Sequence, residues 1–453
     1  MPVENARMLA EGIMADVTED LAALVRVPSC AFPGFPSEPV MQTAEAVVDL
    51  LERYGIPGAR LLDVPGGYPA VYAEIAAPPG APTILLYAHY DIQPAPLEQG
   101  WDMDPFEPEI RDGRMYGRGA ADDKSGVMII ASALRLFGGE PPVGIKVLME
   151  GEEETGSNLE TLIAANPDLV RCDAFVINDG GNMKAGEPEL TAALRGIAAC
   201  DVTVRSLKGM AHSGSYGGAA PDALMALIRI LDNLLDEHGD VAIPGLTRFE
   251  WEGGGIPEDD YRAAAGVLPG VGLMGTGTLA SRLWAKPSVT AIGLDAPPTE
   301  GASNSLIPEA KARVSMRIAP GSDPEESVRL LMEHLHASAP WGVEVITAPV
   351  HTGDAFMGKT AGPVFAAARE AAAEAFDSEP KVTGSGGTIP LLTTLQRLAP
   401  DAEFVIWGPG DEHSRVHAAN ESLDLGELER MIVAETLLLE KLGELRLEKR
   451  PAA

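Results

Sequence analysis

Apolar positions along the chain fall into runs of two periods. Residues 3–26 set apolar side chains at helical spacing among acidic ones and stop at Val27 and Pro28, which predicts an opening helix. Residues 84–88 form a short apolar stretch ending in His89, the mark of a buried strand. A helix is predicted over 125–137, stopped by Gly138 and Gly139. Ile145, Val147 and Met149 alternate with polar or smaller neighbours and predict a strand that runs out at Glu152, Glu153 and Glu154. A third strand over 174–178 ends at Asp179. Strands alternating with helices specify an α/β sheet, where sites form just beyond the strand C-termini.

Near residue 196 the pattern changes. A strand over 196–205 precedes an amphipathic helix over 221–235, with Asp222 near its start. Strands over 312–318 and 343–346 flank a helix over 324–336, and the Gly- and Pro-rich stretch 241–285 reads as a long insertion. From 351 the chain resumes with a helix (363–377), a Gly-rich loop (384–387), a strand (403–407) and a last helix (424–443). The predicted architecture is a discontinuous α/β domain, 1–195 plus 351–453, whose mixed sheet is flanked by helices. A smaller α+β two-layer domain, 196–350, interrupts it.

Two domains suit a chain of 453 residues. The balance of 34 basic against 67 acidic residues, net −33, disfavours nucleic acid or an anionic membrane as partner. No stretch reaches the ~18 uninterrupted apolar residues of a membrane span. Cys30, Cys172 and Cys200 are too scattered for a disulfide framework. Glu4, Glu11, Asp16, Glu19 and Asp20 make the first helix unlike a signal peptide. The expected location is cytoplasmic.

Candidate chemistry gathers in five clusters. They are the segments around His89 and Asp91, around Asp122 and Asp123, at Glu152 to Glu154, at Asp179, and at His417 with Asn420 and Glu421. Separated histidines and carboxylates at the ends of apolar runs suit one or two divalent transition metals with open positions for water and substrate. Asp91, two residues from His89, is spaced to fix its tautomer. Asp122 has two oxygens with which to bridge two ions; the alternative is that Asp122 or Asp123 caps the helix. Consecutive glutamates repel unless a cation neutralises them, so one as ligand and its neighbour as general base is an economical reading. His413 competes with His417 as ligand. His212 lies in the inserted domain, and Arg317 offers a fork for a substrate carboxylate. Gly384, Ser385, Gly386, Gly387 and Thr388 form either an anion-binding loop or a plain turn. The G-x-G-x-x-G pattern at 270–275 follows Leu268 and Pro269 rather than a strand, which argues against a dinucleotide site.

Taken together and in this order, the clusters resemble the two-metal exopeptidase family of carnosine dipeptidase, aminoacylase, glutamate carboxypeptidase and succinyl-diaminopimelate desuccinylase. The resemblance spans nearly the whole chain and implies a catalytic domain interrupted by a lid domain through which two copies dimerise. It implies that His89 and Asp179 hold one metal, Glu154 and His417 the other, and that Asp122 bridges them while Asp91 supports His89. It also implies that Glu153 is the base, that the Asp122–Asp123 peptide bond is cis, and that His212 acts on the partner's substrate. Arg317 with Gly386, Gly387 and Thr388 would bind the substrate. The metals expected are zinc, with manganese or cobalt as alternatives that N and O ligands also accept. Asp rather than Glu at 179, together with the segment around His212, is similar to the dipeptidases. The expected activity is hydrolysis of dipeptides or short peptides with a free C-terminal carboxylate. An N-acyl or N-carbamoyl amino-acid amidohydrolase is the alternative.

Overall fold

Early in the chain, helix α1 (Val3–Val25) is followed by strands β1 (Arg60–Leu62), β2 (Ala70–Ile75) and β3 (Thr83–His89). Helix α2 (Lys124–Leu136), β4 (Gly144–Glu150) and β5 (Ala174–Ile177) come next. A second group comprises β6 (Gly196–Arg205), helix α3 (Ala223–Asp232), β7 (Ser288–Asp295), β8 (Glu309–Ile318), helix α4 (Pro324–Ala337) and β9 (Glu344–Gly353). The chain then adds helix α5 (Pro363–Phe376), β10 (Glu403–Ile406) and helix α6 (Leu425–Glu444). These elements come from a computed structural model that describes residues 1–253, 255–387 and 389–445.

The first sheet has the order β1-β2-β4-β3-β5-β10. Its four strands from β4 to β10 run parallel, and β2 joins β4 antiparallel. This is the mixed, helix-flanked α/β sheet read from the sequence. Strands β3, β4 and β5 are buried along almost their whole length, which explains their near-continuous apolar runs. Helix α2 is buried over most of its length among β3, α1 and α6. Gly126 lets it approach, because a Cβ there would lie 2.8 Å from the Asn178 carbonyl oxygen.

The second sheet is antiparallel, β7-β8-β6-β9. On β8, Ala310, Ala312, Val314, Met316 and Ile318 are buried, in one apolar cluster with residues of α3 and α4. The intervening face is polar: Asp201 on β6 pairs with Lys311 and Arg313 at 2.7 Å each. Asp222 and Asp323 cap α3 and α4 by accepting from Met225 and Glu326 backbone N–H groups.

Two compact units result: Met1–Ala192 with Gly358–Val382 and Pro390–Ala453, and Ala193–Met357 with Thr383–Ile389. The sequence reading kept the loop 384–387 with the catalytic domain, whereas in the structure it belongs with the second unit. The reason is local. The Arg195 N–H donates to the Ser385 carbonyl at 3.1 Å, and Gly384 abuts Trp284, where a Cβ would lie 2.6 Å away. Strand β7 is a further difference, since nothing in the sequence reading anticipated it.

Candidate metal centre

Three neighbouring strands of the first unit deliver the cluster. His89 is the last residue of β3, Glu153 and Glu154 follow β4, and Asp179 follows β5. Asp122 ends the loop before α2, and His417 lies in the loop after β10. The Asp122–Asp123 peptide bond is cis.

Asp122 stands between the two histidines. Its Oδ1 is 3.1 Å from His89 Nε2 and its Oδ2 is 2.8 Å from His417 Nε2. His417 Nε2 is also 3.3 Å from Glu154 Oε2. Candidate ligand atoms of His89, Asp122 and Glu154 lie within 4.8 Å of one another, as do those of His89, Asp123 and Asp179. Asp123 is otherwise engaged, accepting the His89 N–H at 3.0 Å and capping α2 through the Gly126 N–H at 3.2 Å. Asp91 ties two clusters together. One of its oxygens lies 3.4 Å from His89 Nδ1 and accepts the Glu153 N–H at 3.0 Å, and the other accepts the Glu154 N–H at 3.1 Å. His413 sits 71% exposed beside Glu412, outside the cluster.

The acidic triplet separates cleanly. Glu152 turns away to the 67–68 turn and Asn158, accepting from the Tyr68 N–H at 3.4 Å and Asn158 Nδ2 at 3.1 Å. Glu153 and Glu154 remain with the cluster.

Charge is frustrated here. Burial opposes a positive His89, yet its hydrogen bonds with Asp122 and Asp91 outweigh burial and raise it well above the usual imidazole range. His417 is raised to about 10 by its bonds with Asp122 and Glu154. Burial works against an ionised Asp122, but both histidines hold it well below the usual carboxylate range. Burial, with Asp122 and Glu154 nearby, pushes Asp179 up to about 7. Glu153 is raised well above its ordinary range, first by burial and then by the Asp179 charge. Glu154 Oε1 is buried with no hydrogen-bond partner among the described residues. Carboxylates converging on imidazole nitrogens, with one oxygen unpaired, form a donor set that fits divalent cations.

Several supporting contacts escaped the sequence reading. Gln93 donates from Nε2 to Glu154 Oε2 at 2.7 Å, and its signal was the alternate spacing 89, 91, 93 at a strand end. Buried Glu421 accepts three backbone N–H groups, from Gly119 (3.1 Å), Ala121 (2.9 Å) and Asp122 (3.1 Å), and pairs with buried Arg118 at 2.5 Å. Lys124 is fully buried and donates from Nζ to the carbonyls of Leu24 and Val27, each at 2.8 Å.

The remaining sequence candidates belong to the second unit. His212 is exposed at the end of a two-residue strand pairing with Ser305 and Leu306, and its Nδ1 is 3.4 Å from Ser215 Oγ. Arg317 is half-buried near the end of β8, and Gly386 and Gly387 follow it in the chain on the 383–389 segment. Thr388 lies outside the described residues.

An α/β sheet carrying such a centre past its strand ends defines a metal-dependent hydrolase. Residues 85–441 match peptidase family M20/M25/M40, and the chain belongs to that family. It is 42% identical over 372 residues to the cysteinylglycine-S-conjugate dipeptidase of Corynebacterium striatum, covering 80% of this chain and 82% of that protein. To the Beta-Ala-His dipeptidase of Homo sapiens it is 28% identical over 394 residues, 82% of this chain and 76% of that one. Its fold is that of the di-peptidase Dug1p of Saccharomyces cerevisiae, with a TM-score of 0.79 at 23% identity over 98% of this chain and 99% of that one. The M20 family metallo-carboxypeptidase Sso-CP2 of Sulfolobus solfataricus aligns with a TM-score of 0.78 at 25% identity, over 95% and 99%. No helix among the described residues is long and apolar enough to cross a membrane.

Proposed function

We propose that this metallopeptidase hydrolyses dipeptides with a free C-terminal carboxylate, using two divalent ions. The observation that carries the reading is Asp122 offering one carboxylate oxygen to each of two histidines. His89 and Asp179 would hold one ion, Glu154 and His417 the other, with Asp122 shared. Such ions, when bound, polarise a peptide carbonyl and lower the pKa of water, and zinc suits the N and O ligands.

Glu153 is the proton carrier. Its carboxyl has no hydrogen-bond partner among the described residues, and burial with Asp179 nearby raises its proton affinity. It takes a proton from the attacking water and delivers it to the leaving amine nitrogen. Asp91 holds Glu153 and His89 in register through the contacts above. Arg317 with Gly386, Gly387 and Thr388 receives the substrate carboxylate, and the second unit serves as a lid that excludes water.

Two copies pair through the second unit, and His212 reaches the partner's substrate to stabilise its oxyanion. Strand β7 supports such pairing: its outer edge has no partner strand among the described residues, and Ile292 and Leu294 are 61% and 50% exposed. Three buried cysteines without a disulfide support a cytoplasmic location.

Relatives that act on cysteinylglycine conjugates and Beta-Ala-His favour dipeptides over N-acyl amino acids. The test is to load the protein with zinc, manganese or cobalt, count the ions bound, and compare dipeptides with N-acetyl amino acids. About two ions per chain and cleavage of the dipeptides are expected. No bound ion, or cleavage of the N-acetyl compounds alone, would sink the reading.

A further inference from the structure

In the second unit one arginine holds the hydroxyl of a serine that stands opposite another arginine. Arg317 faces Ser288 across the β7–β8 ladder, and residues directly opposite in an antiparallel pair project to the same side. Arg195, immediately before β6, donates from Nη1 to Ser288 Oγ at 3.1 Å. The two guanidinium groups therefore flank the same serine. They also repel: Arg195 is pushed down to about 10, first by burial and then by the Arg317 charge. Arg195 Nε is buried and has no hydrogen-bond partner among the described residues. Among the described residues no carboxylate pairs with either arginine. Other part-buried arginines of this acidic chain do meet carboxylates, as Arg114 does with Asp411 and Arg118 with Glu421. Half-buried like charges left without a counter-ion are unfavourable, and a bound anion relieves them.

Gly386 lets the loop come close to Arg195. A Cβ at that position would lie 3.1 Å from Arg195 Nη2. The bare backbone of the loop thus lies against the guanidinium, and the loop is tied down by the Arg195 N–H to Ser385 carbonyl bond.

We infer that Arg195 is a second arm of the substrate clamp, gripping the C-terminal carboxylate together with Arg317. The inference rests on the dipeptidase reading. A carboxylate offers about four acceptor sites, and one guanidinium fork uses two of them. Arg195 takes the others, so an anion between the two arms neutralises a repulsion that neither arm escapes alone. A C-terminal amide, being neutral, gives no such relief.

The experiment compares Ala-Gly with Ala-Gly amide in the metal-loaded enzyme. Arg195→Ala should lower kcat/KM for Ala-Gly by about 10- to 100-fold and that for the amide far less. Combined with Arg317→Ala, the loss should fall short of the product of the two single losses, since both arms hold one anion. Should Arg195→Ala fail to fold, Arg195→Lys decides. It keeps the charge but not the fork, so its acid-to-amide preference should lie below that of the wild type. Equal losses on acid and amide, or fully multiplicative losses in the double variant, would overturn the two-armed clamp alone. A wild-type enzyme that cleaves neither Ala-Gly nor any other dipeptide would instead overturn the dipeptidase reading, and the clamp with it.

Discussion

Burial pushes up the carboxyls of both Glu153 and Glu435, but only Glu153 has a part in the proposed chemistry. For Glu153→Gln we expect kcat to fall by about 10²- to 10⁴-fold while calorimetric titration finds the same metal affinity. A loss of only a few-fold would remove Glu153 from the role. Glu152 would be a poor replacement, because its oxygens are turned to Tyr68 and Asn158. Glu435, on α6, is pushed up to about 7 by burial; Asn178 and Trp407 lie close enough to lower it in part, though neither gives its oxygens a well-formed hydrogen bond. The folded state therefore binds its proton more tightly than the unfolded chain. The stability this confers is complete below the ordinary glutamate range and is lost as pH rises through about 7. Over that window wild type should lose about 3 kcal/mol relative to Glu435→Gln, which cannot ionise. Urea unfolding of both proteins at pH 5 and pH 8 measures the difference. A gap that does not change between the two pH values would show that Glu435 does not titrate there.

Loops, more than strands, decide how the centre is held. Arg415, His417 and Asn420 have φ of 51°, 62° and 63°, conformations that cost an L-residue roughly 1–2 kcal/mol each. Glu421 closes this strained segment onto the Asp122 loop. In Glu421→Ala, Arg118 would lose its carboxylate and three backbone N–H groups their acceptor, all at a buried site. The expected loss is about 3–5 kcal/mol in chemical denaturation, with weaker metal binding; Glu421→Gln, still an acceptor, should recover part of both. Unchanged metal affinity in Glu421→Ala would mean that the loop holds its ligands without this residue. Such a partnership was hidden from sequence reading because Arg118 and Glu421 stand 303 residues apart. The strand ends were legible for the opposite reason. Buried parallel strands make continuous apolar runs, so His89 and Asp179 stood out where those runs stop. Strand β7 was illegible: it is exposed on both faces, and a register shift between Ala291 and Gly293 breaks its alternation. Three identical residues at 152–154 carry no internal phase either, and it is contact with Asp91 that distinguishes them.

At the scale of the whole molecule, pairing of two copies is the property most open to test. Ile292→Lys on the outer edge of β7 should convert a dimer to a monomer in sedimentation. Mixing inactive His212→Ala with inactive Glu153→Gln should restore activity through hybrid dimers, and no restoration after proven subunit exchange would contradict a histidine working across subunits. The link between Asp122 and Glu421 also has a consequence for biosynthesis. Their hydrogen bond spans 299 residues, which a ribosome takes about 15 to 60 s to traverse. For most of that interval the nascent chain carries His89, Asp122, Glu154 and Asp179 without the segment that bears His417 and Glu421. On the proposed assignment, a product cut short before His417 lacks a metal ligand and has no working centre to release.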